Sequence, residues 1–137
     1  MKIFLISPVR NAESEIQERI AEYVASLEAD GHQVHWPIRD TRQDDPTGGY
    51  EICRANFTGI LEADDVHIWY DETSNGSKFD MGGVFMLVAM LGREKKVVIV
   101  NDVEIVDDKK RVFIKFSSAL SKRQNNNLVP GSLGTVL

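Results

Sequence analysis

The segment YDETSNGSKFDMGGVF, residues 70–85, runs from the end of a predicted strand, through a polar turn, into a predicted apolar helix. A strand that leads directly into a helix is the repeating unit of α/β proteins, in which the strands are parallel. One aspartate, Asp80, falls about three residues inside this helix. The segment therefore predicts an α/β fold, and it raises the question of whether Asp80 caps the helix or faces a ligand.

Strands and helices alternate on both sides of this segment. Four apolar runs predict strands, at residues 2–7, 32–38, 66–70 and 96–100. Apolar residues at helical spacing predict helices at about residues 16–27, 50–63 and 78–91. This order predicts a flavodoxin-like three-layer α/β fold with a mostly parallel sheet of four to five strands and right-handed crossovers. The second strand should lie at a sheet edge, because Pro37 cannot donate to a ladder.

The pattern is weaker after Asn101. Residues 111–116 (RVFIKF) predict a fifth strand, with the start of a helix as the alternative. The tail from about residue 121 is polar and punctuated by Gly and Pro, which indicates a mobile segment or one ordered by a partner subunit. At 137 residues the chain is expected to form one domain, residues 1–137.

Composition excludes several classes of protein. The net charge of −5, from 21 acidic and 16 basic residues, argues against a duplex nucleic-acid binder. No apolar run approaches the ~18 residues that a membrane span needs. The single cysteine, Cys53, lies in an apolar helical pattern and is expected to pack in the core. With no secretory signal and no possible intrachain disulfide, we expect a cytoplasmic protein.

Neither a metal nor a cofactor is indicated. The three histidines and the one cysteine form no cluster with metal-ligand spacing. The loop after strand one has neither a G-x-G-x-x-G pattern nor a Walker lysine, which argues against a nicotinamide-dinucleotide or nucleoside-triphosphate enzyme. We therefore expect no bound cofactor and no metal.

The strand-to-helix loops are the expected site, because ligands of open α/β sheets bind beyond the carboxyl ends of the strands, where the strand order reverses. With the strand order 2-1-3-4-5, the loops after strands one and three are neighbours. The first loop carries Arg10, which is placed to hold a phosphate or a carboxylate beside a helix N-terminus. The alternative is a surface arginine paired with Glu13 or Asp40.

The third loop is the densest in polar groups. Asp71 ends strand three, and Gly76 would let backbone approach a ligand closely. Hydroxyls and an amide follow at Thr73, Ser74, Asn75 and Ser77. Farther into the helix, the paired glycines Gly82 and Gly83 cost about 1 kcal/mol each relative to alanine, which suggests that a ligand or neighbouring backbone needs the room.

Two interpretations of Asp80 remain open at this point. Ser77-x-x-Asp80 has the spacing of a capping box, and the helix dipole favours an acid in the first turn by ~0.3–1 kcal/mol. Capping does not explain the paired glycines, the polar groups upstream or the position of the loop. The alternative is a carboxylate that faces a substrate, and the two roles can coexist, because a capping hydrogen bond would help to fix the side chain.

Two segments resemble a known family. ADDVHIWYDETSNGSKFDMGGVF, residues 63–85, resembles the central segment of the nucleoside 2-deoxyribosyltransferases and the related nucleoside 5′-monophosphate N-glycosidases. IFLISPVRNAE, residues 3–13, resembles their first strand, which ends in a small residue, proline and often arginine. The resemblance covers roughly residues 1–100 and implies a flavodoxin-like fold and assembly as a homodimer or higher homo-oligomer.

The resemblance also implies roles for particular residues. In the family an acid, normally glutamate, attacks the anomeric carbon of the sugar and forms a covalent glycosyl intermediate, and this position corresponds to Asp80. Ser74 corresponds to a loop aspartate or serine of the family, and Asp64 to the aspartate before strand three. The aspartate at position 80 is shorter than glutamate by about one C–C bond (~1.5 Å), a difference that catalytic geometry rarely tolerates without cost. The sugar-binding tyrosine that transferases often carry near strand one is absent, since only Phe4 is aromatic there.

The sequence thus predicts cleavage or transfer at the N-glycosidic bond of a nucleoside or its 5′-monophosphate. Asp80 would be the nucleophile or stabilise an oxocarbenium-like transition state, and Asp71 would protonate the base or position water. The expected substrate contacts are Ser7, Arg10, Asp64, Asn75, Gly76 and Ser77. The alternative is a non-catalytic nucleotide-binding or sensor domain on the same scaffold.

Overall fold

The computed structural model describes residues 1–10 and 12–103 of the chain. Its strands are β1 (Lys2–Ile6), β2 (Gln33–His35), β3 (Asp65–Ile68) and β4 (Lys96–Ile99). Its helices are α1 (Ser14–Ala29), α2 (Pro37–Asp40), α3 (Tyr50–Glu62) and α4 (Asn75–Phe85), the last followed by a π-helical turn at Met86–Met90. The predicted fifth strand and the tail from about residue 121 lie outside the described residues.

The four strands form one parallel sheet in the order β2-β1-β3-β4. Ile3 pairs with Val34 of β2 on one side and with Asp65 of β3 on the other. The chain leaves β1 toward β2 and later returns to the other side of β1 as β3, so the strand order reverses between β1 and β3. The predicted flavodoxin-like α/β fold and the edge position of β2 are confirmed.

Each face of the sheet carries its own apolar layer, since alternate residues of a strand point to opposite faces. Ile3 and Leu5 pack with Ile20 and Val24 of α1. Phe4 and Ile6 belong to the opposite layer, which receives Ile60 of α3 and also Met81 and Val84 of α4. Because both of its faces are covered, β1 is a continuous apolar run. The sheet separates α1 on one face from α3 and α4 on the other.

Two side chains hold the ends of elements at opposite ends of the sheet. Asn101 extends the sheet beyond β4, because its Oδ1 accepts from the Tyr70 N–H at 2.7 Å and its Nδ2 donates to the Tyr70 carbonyl at 2.9 Å. The Lys95 ammonium is 7% exposed and donates to the carbonyls of Leu61 and Ala63 at the end of α3. A cation is favourable there because it meets the negative end of the helix dipole.

The close approach of α3 to α4 depends on Gly83. A Cβ atom at this position would lie 1.7 Å from Cε1 of Phe57 on α3. The room that the sequence attributed to a ligand or neighbouring backbone is therefore occupied by an aromatic side chain. Gly82 is different: a Cβ atom there meets nothing within 4 Å, and nothing in the structure explains this glycine.

Three local predictions were wrong. The second strand ends at His35 instead of residue 38, because Pro37 begins the short helix α2, where a missing N–H costs nothing. The last predicted helix changes to a π-helical turn after Phe85 and does not continue as an α-helix to Leu91. Its start is also earlier than predicted, at Asn75.

Candidate functional site

A cavity of about 440 Å³ lies beyond the carboxyl ends of β1 and β3. Its wall is formed by Ser7 and Arg10 of the first loop, by residues 73–77 from the end of the third loop and the first turn of α4, and by Asp80. α3 closes another side with Ile52, Cys53 and Asn56. The volume is within the ~300–1,000 Å³ of small-molecule sites. The fold thus brings the first and third loops together as predicted from the strand order.

Asp80 lies in the wall of this cavity and is 7% exposed. Its Oδ2 accepts a hydrogen bond from Nδ2 of Asn56 at 3.2 Å. Among the described residues no group donates to Oδ1, so this oxygen is available to a molecule in the cavity. Burial disfavours the charged carboxylate and raises the pKa of Asp80 to about 6, while the hydrogen bond from Asn56 partly offsets that effect.

The cap of α4 is Ser74. Its side-chain oxygen accepts from the backbone N–H of Ser77, and the two hydroxyls bond to each other at 2.9 Å. Ser77 is inside the helix, so the predicted Ser77–Asp80 capping box is wrong. The cap lies three residues earlier, and Asp80 therefore begins the second helical turn on the side that faces the cavity. Capping does not account for Asp80.

Asn56 was missed by the sequence analysis. It lies at an inward position of α3 between Cys53 and Ile60 and is 7% exposed. Its Oδ1 accepts from the Thr41 hydroxyl at 3.0 Å, and that hydroxyl oxygen lies 2.8 Å from Nε2 of His35. A polar residue at an apolar helical position was the available signal, because a buried amide needs partners for its hydrogen bonds.

Ser7 and Arg10 both line the cavity but differ in exposure. Ser7 is 6% exposed, and its hydroxyl accepts from Nε1 of Trp36 at 3.2 Å. Arg10 is exposed at the rim, and within the described part of the chain no carboxylate lies at ion-pair distance from it. The predicted alternative, a pairing with Asp40, does not occur, because Asp40 binds Arg39 instead.

Asp71 and Asp64 do not reach the cavity. The Asp71 carboxylate accepts from the backbone N–H and the hydroxyl of Thr73, both at 2.7 Å, which stabilises the turn before α4. Asp64 precedes β3, at the amino end of the sheet, where its carboxylate accepts from the Lys2 N–H at 2.8 Å. Asp64 and Asp80 therefore lie at opposite ends of the parallel sheet.

Two aromatic residues that follow β3, and His67 within β3, have structural contacts. Trp69 and Tyr70 are each 8% exposed and pack in opposite apolar layers, so neither is placed to stack on a base in the cavity. His67 bonds the Tyr23 hydroxyl through Nδ1 at 2.7 Å, as a satisfied structural histidine does. Cys53, expected in the core, is half-buried and lines the cavity.

A second cavity of about 550 Å³ lies at the amino end of the strands, beside Lys2 and His32. Three of its charged groups are paired with one another, since Arg39 binds both Glu28 and Asp40. Because ligand sites of this architecture lie beyond the carboxyl ends of the strands, we place the candidate site at Asp80. In residues 1–10 and 12–103 no three His, Cys, Asp or Glu side chains are grouped as metal ligands. No described helix is both long and apolar enough to cross a bilayer.

The backbone is similar to that of a 2-deoxyribosyltransferase from the psychrotolerant bacterium Bacillus psychrosaccharolyticus. The TM-score is 0.56 and the identity is 16%, over 88% of this chain and 96% of that chain. This likeness shows the fold. No protein-family model matches the sequence, and no curated protein matches it either. The chemistry of the site is therefore argued from its side chains.

Proposed function

We propose that this protein cleaves or transfers at the N-glycosidic bond of a nucleoside or its 5′-monophosphate, with Asp80 as the reacting carboxylate. The observation that carries the proposal is the placement of Asp80: it is a buried residue that lines a cavity, with Oδ1 unpartnered among the described residues. The fold shared with a 2-deoxyribosyltransferase, a class that acts on nucleosides, supports the same conclusion.

The proposed chemistry uses the free oxygen of Asp80. A lone pair of Oδ1 forms a bond to the anomeric carbon while the bond from that carbon to the base nitrogen breaks. The electron pair of the broken bond leaves with the base, which takes a proton from water. Water, or a second base in a transferase, then attacks the same carbon and releases the Asp80 carboxylate. With a pKa of about 6, Asp80 is mostly ionised at neutral pH and so able to act as a nucleophile.

The rim of the cavity is suited to an anionic substrate. Arg10 is exposed beside the third loop, whose Ser74 and Ser77 hydroxyls and exposed Asn75 lie on the cavity wall. Guanidinium groups bind phosphate oxygens through paired hydrogen bonds. We therefore propose that Arg10 contacts the 5′-phosphate of a nucleoside monophosphate. No cavity role is proposed for Asp64 or Asp71.

A second candidate function is binding of a nucleotide without catalysis. The observation in its favour is the length of the side chain at position 80, one methylene shorter than the glutamate of the resembled family. Asp80 is also recessed, at 7% exposed, so its carboxylate has to be approached closely by the sugar. A binding domain would retain Arg10 and the polar third loop without needing the reach of a glutamate.

Asp80→Asn and Asp80→Glu separate the two functions. The enzymatic proposal predicts release of free base by the wild-type protein and its loss in Asp80→Asn, with chromatography of the products as the measurement. Activity that appears only in Asp80→Glu would identify a site whose catalysis has been lost. Binding of nucleotides without base release by any of the three proteins would support the second candidate and refute the first.

A further inference from the structure

Four side chains, three from helices or strands and one from a loop, form one hydrogen-bonded chain that ends at the candidate site. His35 of β2 lies 2.8 Å from the hydroxyl of Thr41, which follows α2. Thr41 donates to Oδ1 of Asn56 on α3 at 3.0 Å, and Nδ2 of Asn56 donates to Oδ2 of Asp80 on α4 at 3.2 Å. We call these four side chains the relay.

The number of protons on each group determines which group donates and which accepts at each hydrogen bond of the relay. The Thr41 hydroxyl has one proton, which is used on Oδ1 of Asn56, so Nε2 of His35 must be the donor to Thr41. A carbonyl oxygen held by Thr41 leaves the NH₂ group of Asn56 on the side of Asp80. With the amide turned over, two oxygens would face each other across the same gap, which is repulsive.

Because the relay is buried, the loss of any of its hydrogen bonds should be destabilising. Thr41 is 5% exposed and Asn56 is 7% exposed, so water does not readily replace a missing partner. A buried polar group left without its hydrogen bond costs about 1–3 kcal/mol, more when the group is charged. Thr41 therefore holds Asn56 in one orientation, and neither Thr41 nor His35 is part of the cavity wall that a substrate would touch.

We propose that Asn56 is a positioning residue for Asp80 and that Thr41 sets the direction of its amide, so that Oδ2 is held and Oδ1 is presented to the cavity. The catalytic consequence rests on the proposed function, whereas the orientation of the carboxylate does not. Asn56 acts through Asp80 and is not itself a catalytic residue.

Few other charges act on the carboxylate. Within the described part of the chain, the charged or titratable side chains that share the cavity with Asp80 are Arg10, from the loop after β1, and Cys53, from α3. α4 itself contributes none to the cavity wall besides Asp80. A change in the titration of Asp80 on substitution of Thr41 or Asn56 therefore reports the relay, provided that Arg10 and Cys53 are unchanged.

The first test needs no substrate. The ¹³C carboxyl resonance of Asp80 is titrated by NMR in the wild type and in Asn56→Leu and Thr41→Val, which keep the approximate shape and remove the hydrogen bond. We expect the proton affinity of Asp80 to rise about tenfold in Asn56→Leu, which corresponds to ~1.4 kcal/mol for a charge-assisted hydrogen bond. Thr41→Val should change it in the same direction by less, and Thr41→Ser, which retains the hydroxyl, should rescue it.

The matched control is Thr58→Val. Thr58 lies on the exposed side of α3 and its hydroxyl donates to the Arg54 carbonyl, so it undergoes the same chemical change outside the relay. We expect the Asp80 titration of Thr58→Val to equal that of the wild type. A Thr41→Val protein that is folded and titrates like Thr58→Val would overturn the role of Thr41, and the same result for Asn56→Leu would overturn the whole inference.

The second test measures turnover on whichever substrate the base-release assay identifies. A positioning role predicts that kcat falls about tenfold to a hundredfold in Asn56→Leu while KM changes little, because orientation of the reacting group is lost and the other residues of the cavity wall remain. Equal kcat values for Asn56→Leu and the wild type would contradict the role in catalysis. A wild type that releases no base would refute the proposed function but not the relay, because the NMR titration tests the relay without a substrate.

Discussion

Gly83 of α4 lies so close to Phe57 of α3 that a Cβ atom at Gly83 would be 1.7 Å from Cε1 of the ring. This contact sets the distance between the two helices that form the site. Asn56 is adjacent to Phe57, and Asp80 is one helical turn before Gly83. The hydrogen bond of 3.2 Å between Asn56 and Asp80 is therefore made possible by a glycine that has no contact with a ligand.

Gly83→Ala should destabilise the protein, because the added methyl group forces Phe57 or the α4 backbone to move. Overpacking of this kind costs about 1–3 kcal/mol in the free energy of unfolding, measurable by urea denaturation. Gly82→Ala is the matched control: its Cβ meets nothing within 4 Å, so helix propensity should stabilise it by up to ~1 kcal/mol. Equal stabilities of the two variants would contradict the packing account.

Asp80→Asn should be more stable than the wild type at neutral pH. The pKa of Asp80 is raised to about 6 in the folded protein, so between the ordinary aspartate value and that pH the folded state holds a proton more tightly than the unfolded state. The wild type therefore loses stability as pH rises through this window, by about 2–3 kcal/mol in total, and the loss levels off above it. Asparagine has no such loss.

This prediction is tested by measuring the free energy of unfolding of the wild type and of Asp80→Asn between about pH 4 and pH 8. The advantage of Asp80→Asn should grow from near pH 4 to near pH 6 and then stay constant. Because the difference between two proteins is taken, the titration of other groups cancels. A difference that is constant across the whole range would show that Asp80 is not a buried carboxyl.

Turnover should depend on the same ionisation. In the protein without substrate, the pKa of Asp80 is raised to about 6. If the ionised carboxylate is the nucleophile, kcat/KM falls about tenfold for each pH unit below that pKa. Initial rates of base release between about pH 4.5 and pH 8 measure this profile. A rate that is independent of pH through that range would exclude attack by Asp80.

Much of the fold could be predicted from the sequence, because the spacing of apolar residues and the Gly and Pro residues that end helices and strands are local features. The apolar run of β1 and the helical spacing of Ile20 and Val24 correctly predicted the layers. The strand order was expected from the flavodoxin-like topology and not from these local patterns. Boundaries were less accurate: α2 begins at Pro37 within a predicted strand, because Pro is compatible both with an edge strand and with the first turn of a helix.

The candidate site was predicted in part. Position after β3 was enough to place Asp80 and residues 73–77 at the cavity, since the topology alone determines which loops meet. Asn56 could not be found in the same way, because its contact with Asp80 depends on how two helices pack, 24 residues apart in the chain. The capping box failed for a related reason: two serines three residues apart both fit a cap, and only hydrogen-bond geometry selects Ser74.

Arg10→Ala should separate nucleotides from nucleosides. Loss of a guanidinium that binds a phosphate should lower kcat/KM for 5′-monophosphates by about tenfold or more and leave nucleosides nearly unaffected. Arg10→Lys, which keeps the charge and loses the paired geometry, should lie between the two. Since Arg10 is exposed, stability should not change. An equal effect on both substrate classes would contradict a phosphate contact.

The most direct measurement is release of free base by the wild type and by Asp80→Asn from a panel of ribonucleosides, deoxynucleosides and their 5′-monophosphates, quantified by chromatography. The proposed function predicts that the wild type releases base from at least one member and that Asp80→Asn is slower by roughly a thousandfold or more, as expected when a reacting group is removed. Base release by Asp80→Asn at the wild-type rate, or none by the wild type across the panel, would contradict it.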